Sequence, residues 1–380
     1  METLPTTPSF ISCFAKLKDP RKEEKINHKL SEILLIVLCG TICGASSWRD
    51  YVTFGESKLS YLKKFSDFAN GIPSKNTFAR VFTALDSDCF KACFISWVQS
   101  LQNHVPGVIA IDGKTLKRSF DKANAQSAIH MVSAFASETG LVLGQQKTNK
   151  KSNEITAIPK LLKLLELNGC IVSIDAMGCQ TKIARQIRNQ GADYVLALKA
   201  NQKQLYEDVS LFLSDAVDNN KPGNITDYDE NLNKEHGRIE TRKCYVSDQL
   251  NWLDTKDKWV DLKTIVMIES TREIAGKVST ERRFYNTSME PNARQINQSV
   301  RNHWSIENQL HWVMDVTMDE DNSRVRKGNA PENMCMIKHI VLNMLRKAKM
   351  KKYNQSSLKG LKKIAGWNNA TLDSIICQNF

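Results

Sequence analysis

No stretch of this 380-residue chain is apolar for long enough to cross a bilayer. The longest apolar run, residues 33–43, falls short of the roughly 20 residues that a spanning helix needs. Met1-Glu2-Thr3-Leu4-Pro5 offers neither a basic n-region nor an apolar h-region, so no secretion signal is expected. The ten cysteines form no framework. Cys39/Cys43 and Cys89/Cys93 have helical-face spacing, and no nearby histidine or second cysteine pair completes a zinc site. All ten read as reduced and mostly structural, which fits a cytoplasmic protein; with no spanning segment or signal, no membrane partner is expected. Internal repeats and low-complexity segments are missing as well.

What the chain has in excess is positive charge. Lys and Arg outnumber Asp and Glu by 53 to 41, giving a net charge of +12 and a pI near 9.1. Such a balance favours a polyanionic partner, nucleic acid first and an anionic membrane surface second; simple solubility is the bland alternative. Nucleic acid as partner implies association with the nucleoid. The length allows two or three domains, and an apolar fraction of 41% can bury a real core.

One stretch organises the rest: Val108-Ile109-Ala110-Ile111-Asp112-Gly113-Lys114. An unalternating apolar run of this length reads as a strand buried on both faces, and Gly113 is expected to end it. The pattern recurs at Cys170-Ile171-Val172-Ser173-Ile174-Asp175. Two such strands would bring two carboxylates to one sheet edge, where open α/β sheets bind their ligands. Unpaired buried carboxylates repel, and divalent ions such as Mg²⁺ are the usual way to neutralise them.

Residues 1–101 read as a helical N-terminal domain. It holds a buried helix at 30–38, an amphipathic segment at 48–54 and a basic helix at 58–68. After the turn signal Asn70-Gly71-Ile72-Pro73, Ser74 caps a short helix over 75–82. Lys75, Asn76 and Arg80 on it suggest a helix-turn-helix DNA reader; a plain helical hairpin with a solvated basic face is the alternative. Residues 103–107 read as a linker.

Residues 102–350 read as an α/β domain with strands at 108–112, 128–136, 141–145, 170–175 and 194–198. Helices fall at 153–167, 181–190 and from about 203 to 213. The order β-β-β-α-β-α-β-α is that of a ribonuclease-H-like fold, in which the first and fourth strands are central neighbours. Residues 214–285 read as a β-rich insertion, with 215–235 as loop because of its Asn, Asp and Pro222-Gly223, and strands at 239–246, 258–268 and 282–287. One long helix is expected from Asn292 through Asp315. Ile306, Leu310 and Val313 share a face on it, and Glu307, His311 and Asp315 form an adjoining polar stripe. Trp304 and Trp312 read as core, with base-stacking as the alternative. A further helix runs from Pro331 to Lys352, and residues 351–380 form a basic tail with one or two short helices.

Asp112, Asp175 and Glu307 are therefore the candidate catalytic and metal-ligating acids, with Asp315 as competitor for the third place. Two Mg²⁺ or Mn²⁺ ions held by such acids clamp the attacking and leaving oxygens of a phosphoryl transfer. Lys114 and Lys199, just beyond the strand ends, are candidates to hold phosphates, against the alternative of solvated lysines. His311 would bond a carboxylate or a phosphate, or pack in its helix. Arg238 and Arg242 would contact DNA backbone or be surface strand charge.

Five segments carry a resemblance. Ile111-Asp112-Gly113-Lys114, Ser173-Ile174-Asp175-Ala176, Leu198-Lys199-Ala200-Asn201-Gln202, His236-Gly237-Arg238-Ile239-Glu240-Thr241-Arg242 and His303-Trp304-Ser305-Ile306-Glu307-Asn308-Gln309-Leu310-His311-Trp312 resemble bacterial insertion-sequence transposases of the DDE type. The nearest group is the H-repeat-associated (Rhs-element-associated) transposases. The likeness covers nearly the whole chain, including Asp19-Pro20-Arg21 and residues 71–82 of an associated N-terminal domain. It implies that Asp112 and Asp175 are the first two acids and Glu307 the third. Related enzymes carry Tyr, Arg and Lys around that Glu, where this chain has Val300, His303 and Met314; those roles pass to Arg301, Trp304 and His311 or are absent. The resemblance further implies cleavage and strand transfer of double-stranded DNA, at terminal repeats and target, by a homo-oligomer on DNA. A domesticated regulator that does not cut and a stand-alone nuclease are the rival readings.

Overall fold

The computed structural model describes residues 9–101, 106–120, 127–148, 154–235 and 238–378. The expected linker residues 103–105, the motif positions His236 and Gly237, and residues 1–5 lie outside these.

The framework is one mixed sheet of nine strands: β1 (Val108–Thr115), β2 (His130–Ala136), β3 (Leu141–Lys147), β4 (Ile171–Ile174), β5 (Asp193–Leu198), β6 (Asp227–Glu235), β7 (Arg238–Ser247), β8 (Thr264–Ile274) and β9 (Lys277–Thr287). Their spatial order is β3-β2-β1-β4-β5-β9-β8-β7-β6. β1 and β4 are parallel neighbours, as are β4 and β5, while every other pairing is antiparallel. The strands of the insertion thus continue the sheet through β9 against β5.

Alternation along β1 sends Ile109 and Ile111 to one face and Ala110 to the other. The first face is covered by α7 (Glu154–Leu162), α8 (Thr181–Asn189) and α9 (Lys203–Asp218). On the opposite face, α10 (Ala293–His303) packs over the middle of the sheet through Ile296 and Val300. Beside it lies a large helical layer. This comprises α1 (Ser9–Phe14), α2 (Leu30–Ile42), α3 (Trp48–Ser57), α4 (Leu59–Leu62), α5 (Lys75–Ala84) and α6 (Ser87–Leu101), joined by α11 (Trp312–Val316), α12 (Ala330–Lys351), α13 (Leu358–Trp367) and α14 (Asn369–Cys377). Helices from both ends of the chain share this core: Ile33, Phe78 and Trp97 are buried in one cluster with Ile340, Leu361 and Ile375.

Four expectations need correction. β1 does not end at Gly113 but runs on to Thr115, because its pairing with β2 continues there after its pairing with β4 has stopped. The expected basic helix 58–68 is one turn, α4, and residues 63–74 separate it from α5, too many for the short turn of a helix-turn-helix. Residues 227–235, read as loop, form β6. Their polar side chains give no apolar alternation, so backbone pairing to β7 carries the strand; a charged edge of this kind also discourages further pairing. Polar outer halves likewise hid the span of β8 and β9, whose hairpin is laced by Arg282–Glu269 at 2.8 Å.

The other sheet edge is closed differently. The Asn343 side chain on α12 donates to Val142 O and accepts from Val142 N, both at 2.9 Å, taking the place of a further strand beside β3. Both partners are fully buried. Asn343→Leu would leave two backbone groups without partners and is expected to lower unfolding free energy by about 2–4 kcal/mol, read from urea denaturation. An unchanged midpoint would show that this edge is not held by Asn343.

Candidate active site

The acids meet where β1 and β4 part. The last parallel pair is Ile111↔Ile174, and the next residue on each strand is Asp112 and Asp175. Matching register thus delivers two carboxylates side by side. β1 goes on with β2, while the chain after β4 turns into a single 3-10 turn, Ala176–Gly178, whose Gly178 N–H donates to Asp175 Oδ1 at 3.3 Å.

A cavity of about 300 Å³ opens over these two residues and is lined also by Lys199, His303, Trp304 and Glu307. Burial pushes the Asp112 carboxyl up to about 7, aided by the charges of Asp175, Glu154 and Glu307 and opposed by the Gly113 N–H. Asp175 is raised too, by burial first and then by Glu154.

The expected long helix is not continuous. α10 ends at His303, and residues Ile306–His311 form a π-helical turn before α11. Ile306, Leu310 and Val313 are buried on one face as expected. The wide turn breaks up the polar stripe. Glu307 stands exposed on the cavity wall. His311 turns inward, its Nδ1 3.4 Å from Asp112 Oδ2, and burial followed by the nearby Lys114 charge pushes its pKa down to about 4. Asp315 is bound to Lys114, which also reaches Glu320 at 3.0 Å. Burial works against the lysine's charge, but these two carboxylates outweigh it and raise its pKa. Lys114 and Asp315 therefore occupy each other, away from the cavity, whereas Lys199 is exposed at its wall.

Beside this cavity runs a cleft of about 540 Å³, lined by Arg238, Arg242, Arg272, Arg283 and Arg301. Glu281, Arg283, Tyr285 and Trp304 line both spaces, so the two adjoin. Arg242 is only 8% exposed; its Nε donates to Asn297 Oδ1 at 2.7 Å, and burial lowers its pKa. The Arg283 guanidinium lies 4.6 Å from the Trp304 ring centroid. Neither tryptophan expected in the core is there: Trp304 lines the cleft, and Trp312 is 60% exposed. Lys75 and Arg80 are exposed on α5, which packs against α3 and α12 and does not line the acidic cavity.

The reading of the sequence missed Glu154. Its carboxylate lies with those of Asp112 and Asp175, ligand atoms all within 4.8 Å of one another. An acid in the first turn of a helix is ordinary, since it complements the helix dipole. The available signal was topological: β3 runs parallel to β1, so the helix after it must start at the edge that carries Asp112.

Comparison with known proteins fits this geometry. Residues 80–344 match the family described as "Transposase DDE domain", and residues 11–98 match one described as "DDE_Tnp_1-associated". The chain belongs to the DDE transposases. It is 44% identical over 346 residues to "Putative transposase YncI" of Escherichia coli O157:H7, covering 90% of this chain and 88% of the relative. It is 42% identical over 337 residues to the "H repeat-associated putative transposase YhhI" of Escherichia coli (strain K12), covering 87% and 88%. These relatives make it an H-repeat-associated DDE transposase. Among solved structures, a piggyBac transposase synaptic complex with hairpin DNA covers 97% of this chain and 76% of its own, at 12% identity and a TM-score of 0.46, a likeness too distant to bear on this chain's chemistry. No helix among the described residues is long and apolar enough to cross a membrane.

The raised Asp112 pKa has a consequence for stability. The fold favours the protonated acid, so its contribution is intact below the unfolded value near 3.9 and is lost as pH rises through about 7. In EDTA, Asp112→Asn is expected to match the parent protein near pH 4 and to exceed it at pH 8 by on the order of 3 kcal/mol in urea unfolding. A difference that does not vary with pH would contradict this account of the site.

Proposed function

We propose that this transposase has a ribonuclease-H-like catalytic core and that it cleaves the ends of a mobile DNA element and joins them to target DNA. The observation that carries the reading is the pair of register-matched aspartates facing Glu307 across one cavity, with an arginine cleft opening beside it. A donor set made only of carboxylate oxygens suits the hard ions Mg²⁺ and Mn²⁺. Burial and then the neighbouring acid charges raise Asp112 and Asp175, and a bound cation would offset both. Asp112, Asp175 and Glu307 would hold two such ions. When bound, the ions supply the charge that activates the attacking oxygen and stabilises the leaving one.

The chain's other residues have separate tasks. His311, whose Nδ1 lies 3.4 Å from Asp112 Oδ2, would steady that carboxylate. The Lys114–Asp315–Glu320 cluster ties the distal end of β1 to the segment after α11. Lys199 and Arg301, both exposed at the walls, would meet phosphates. Arg242 presents a buried positive charge to the same cleft, and Arg238 lies at its rim beside Glu240. Joining two ends in one reaction calls for more than one copy on the DNA, so a DNA-bound homo-oligomer in the nucleoid is part of the proposal.

The test uses purified protein, DNA carrying the element's flanking repeats, and Mn²⁺. Asp112→Asn, Asp175→Asn and Glu307→Gln are each expected to reduce nicked and joined products by more than about a hundredfold while leaving end binding near that of the parent. Normal cleavage by the Asp175 variant would refute the assignment, and biological function without any cleavage would point to a regulator. Arg301→Gln should weaken binding evenly across DNA sequences and reduce the slope of log K against log salt by about 1. An unchanged slope would remove Arg301 from the DNA path.

A further inference from the structure

We propose that Glu154, positioned by His130, is a further carboxylate ligand of the divalent-ion site formed by Asp112 and Asp175. The inference rests on the metal-dependent function proposed above and extends the ligand set beyond the three acids expected there.

Three separate chain segments contribute to the cluster: Asp112 from β1, Asp175 from the end of β4, and Glu154 from the first residue of α7. Their ligand oxygens all lie within 4.8 Å of one another. Glu307 is exposed on the cavity wall, whereas Glu154 is only 8% exposed. Glu154 is therefore the inner acid of the group.

Its orientation is fixed by a chain of contacts. His130 Nε2 lies 2.6 Å from Glu154 Oε1, and His130 Nδ1 lies 2.9 Å from Thr115 Oγ1. The assignment that satisfies every atom has Nε2–H donating to the carboxylate and the Thr115 hydroxyl donating to Nδ1. An imidazole N–H donated to a metal-ligating carboxylate is a common outer-shell arrangement, since ligating carboxylates are themselves held by hydrogen bonds.

Gly113 gives independent support. A Cβ built there would collide with both the Glu154 carboxylate and His130 Nε2. Gly113 has no positive φ, so backbone strain does not require a glycine. Space does: the missing side chain is what lets Glu154 reach the edge of β1. An ordinary buried Glu–His pair has no need of two further carboxylates beside it, and these two oppose its charge. A shared cation turns that repulsion into attraction.

The test is titration of the full chain with Mn²⁺ alone, without DNA, by calorimetry or electron paramagnetic resonance. Melting curves in EDTA are recorded alongside. Glu154→Gln is expected to weaken the tightest Mn²⁺ site by about tenfold or more, yet to melt in EDTA at or above the parent temperature because one repelling charge is gone. Glu154→Asp keeps the charge and the helix start but withdraws the carboxylate, and is expected to weaken Mn²⁺ in the same direction. His130→Ala should weaken it too, and His130→Gln, whose amide can donate to Glu154, should restore most of the loss. Parent-like Mn²⁺ affinity in either Glu154 variant, with binding lost in Asp112→Asn, would overturn the role of Glu154 and leave the proposed function standing. Parent-like affinity in Asp112→Asn and Asp175→Asn as well would overturn both.

Discussion

Repulsion between carboxylates at the point where β1 and β4 separate is the constraint around which this molecule is built. Parallel pairing up to Ile111↔Ile174 leaves Asp112 and Asp175 adjacent, and α7 adds Glu154 from the same edge. Such a spot costs free energy in the bare protein, first through burial and then through the neighbouring charges that together raise Asp112 and Asp175. It persists because the surrounding sheet is over-determined. β1 is paired on both sides up to the aspartate and on one side beyond it, and both faces are covered by apolar helices. Strain of this kind, held by a rigid scaffold, is expected where a fold serves chemistry rather than stability alone.

Positive charge is distributed to complement that spot without cancelling it. The lysine nearest in sequence, Lys114, is consumed by Asp315 and Glu320. The arginines of the neighbouring cleft sit on the outer strands and on α10, and they share only its boundary with the acids, through Glu281, Arg283, Tyr285 and Trp304. Under the proposed function, the acids are left for a cation and the arginines for a polyanion. Because the strands that carry Arg238 and Arg242 belong to the same sheet as those that carry the aspartates, the two charge systems are held in fixed relation.

Much of this was legible in the residues. Unalternating apolar runs ending in Asp located β1 and β4, and the strand and helix order placed them side by side. The 3.6-residue period marked Ile306, Leu310 and Val313 as core. Other features left no local trace. β6 has almost no apolar side chains and exists by backbone pairing, so a pattern built on hydrophobic alternation cannot find it. The π-helical turn keeps the composition of an α-helix while changing its phase, which hid the separation of Glu307, His311 and Asp315. Glu154 looked like any acid at a helix start, and only the direction of β3 reveals which edge it joins. Trp304 and Trp312 were read as core, but Trp304 ends α10 at the cleft and Trp312, directly after the π-helical turn, is exposed.

The joint core of the two chain ends has a bearing on how such genes decay. Helices before residue 101 and after residue 330 interlock over one face of the sheet, with Ile33, Trp97, Ile340 and Ile375 in a single buried cluster. A reading frame cut short at either end would strip the cover from β3 and the neighbouring edge of the sheet, exposing a broad greasy surface. The expected product of such a lesion is an aggregating or proteolysed polypeptide, not a trimmed one that still grips DNA and competes with intact copies.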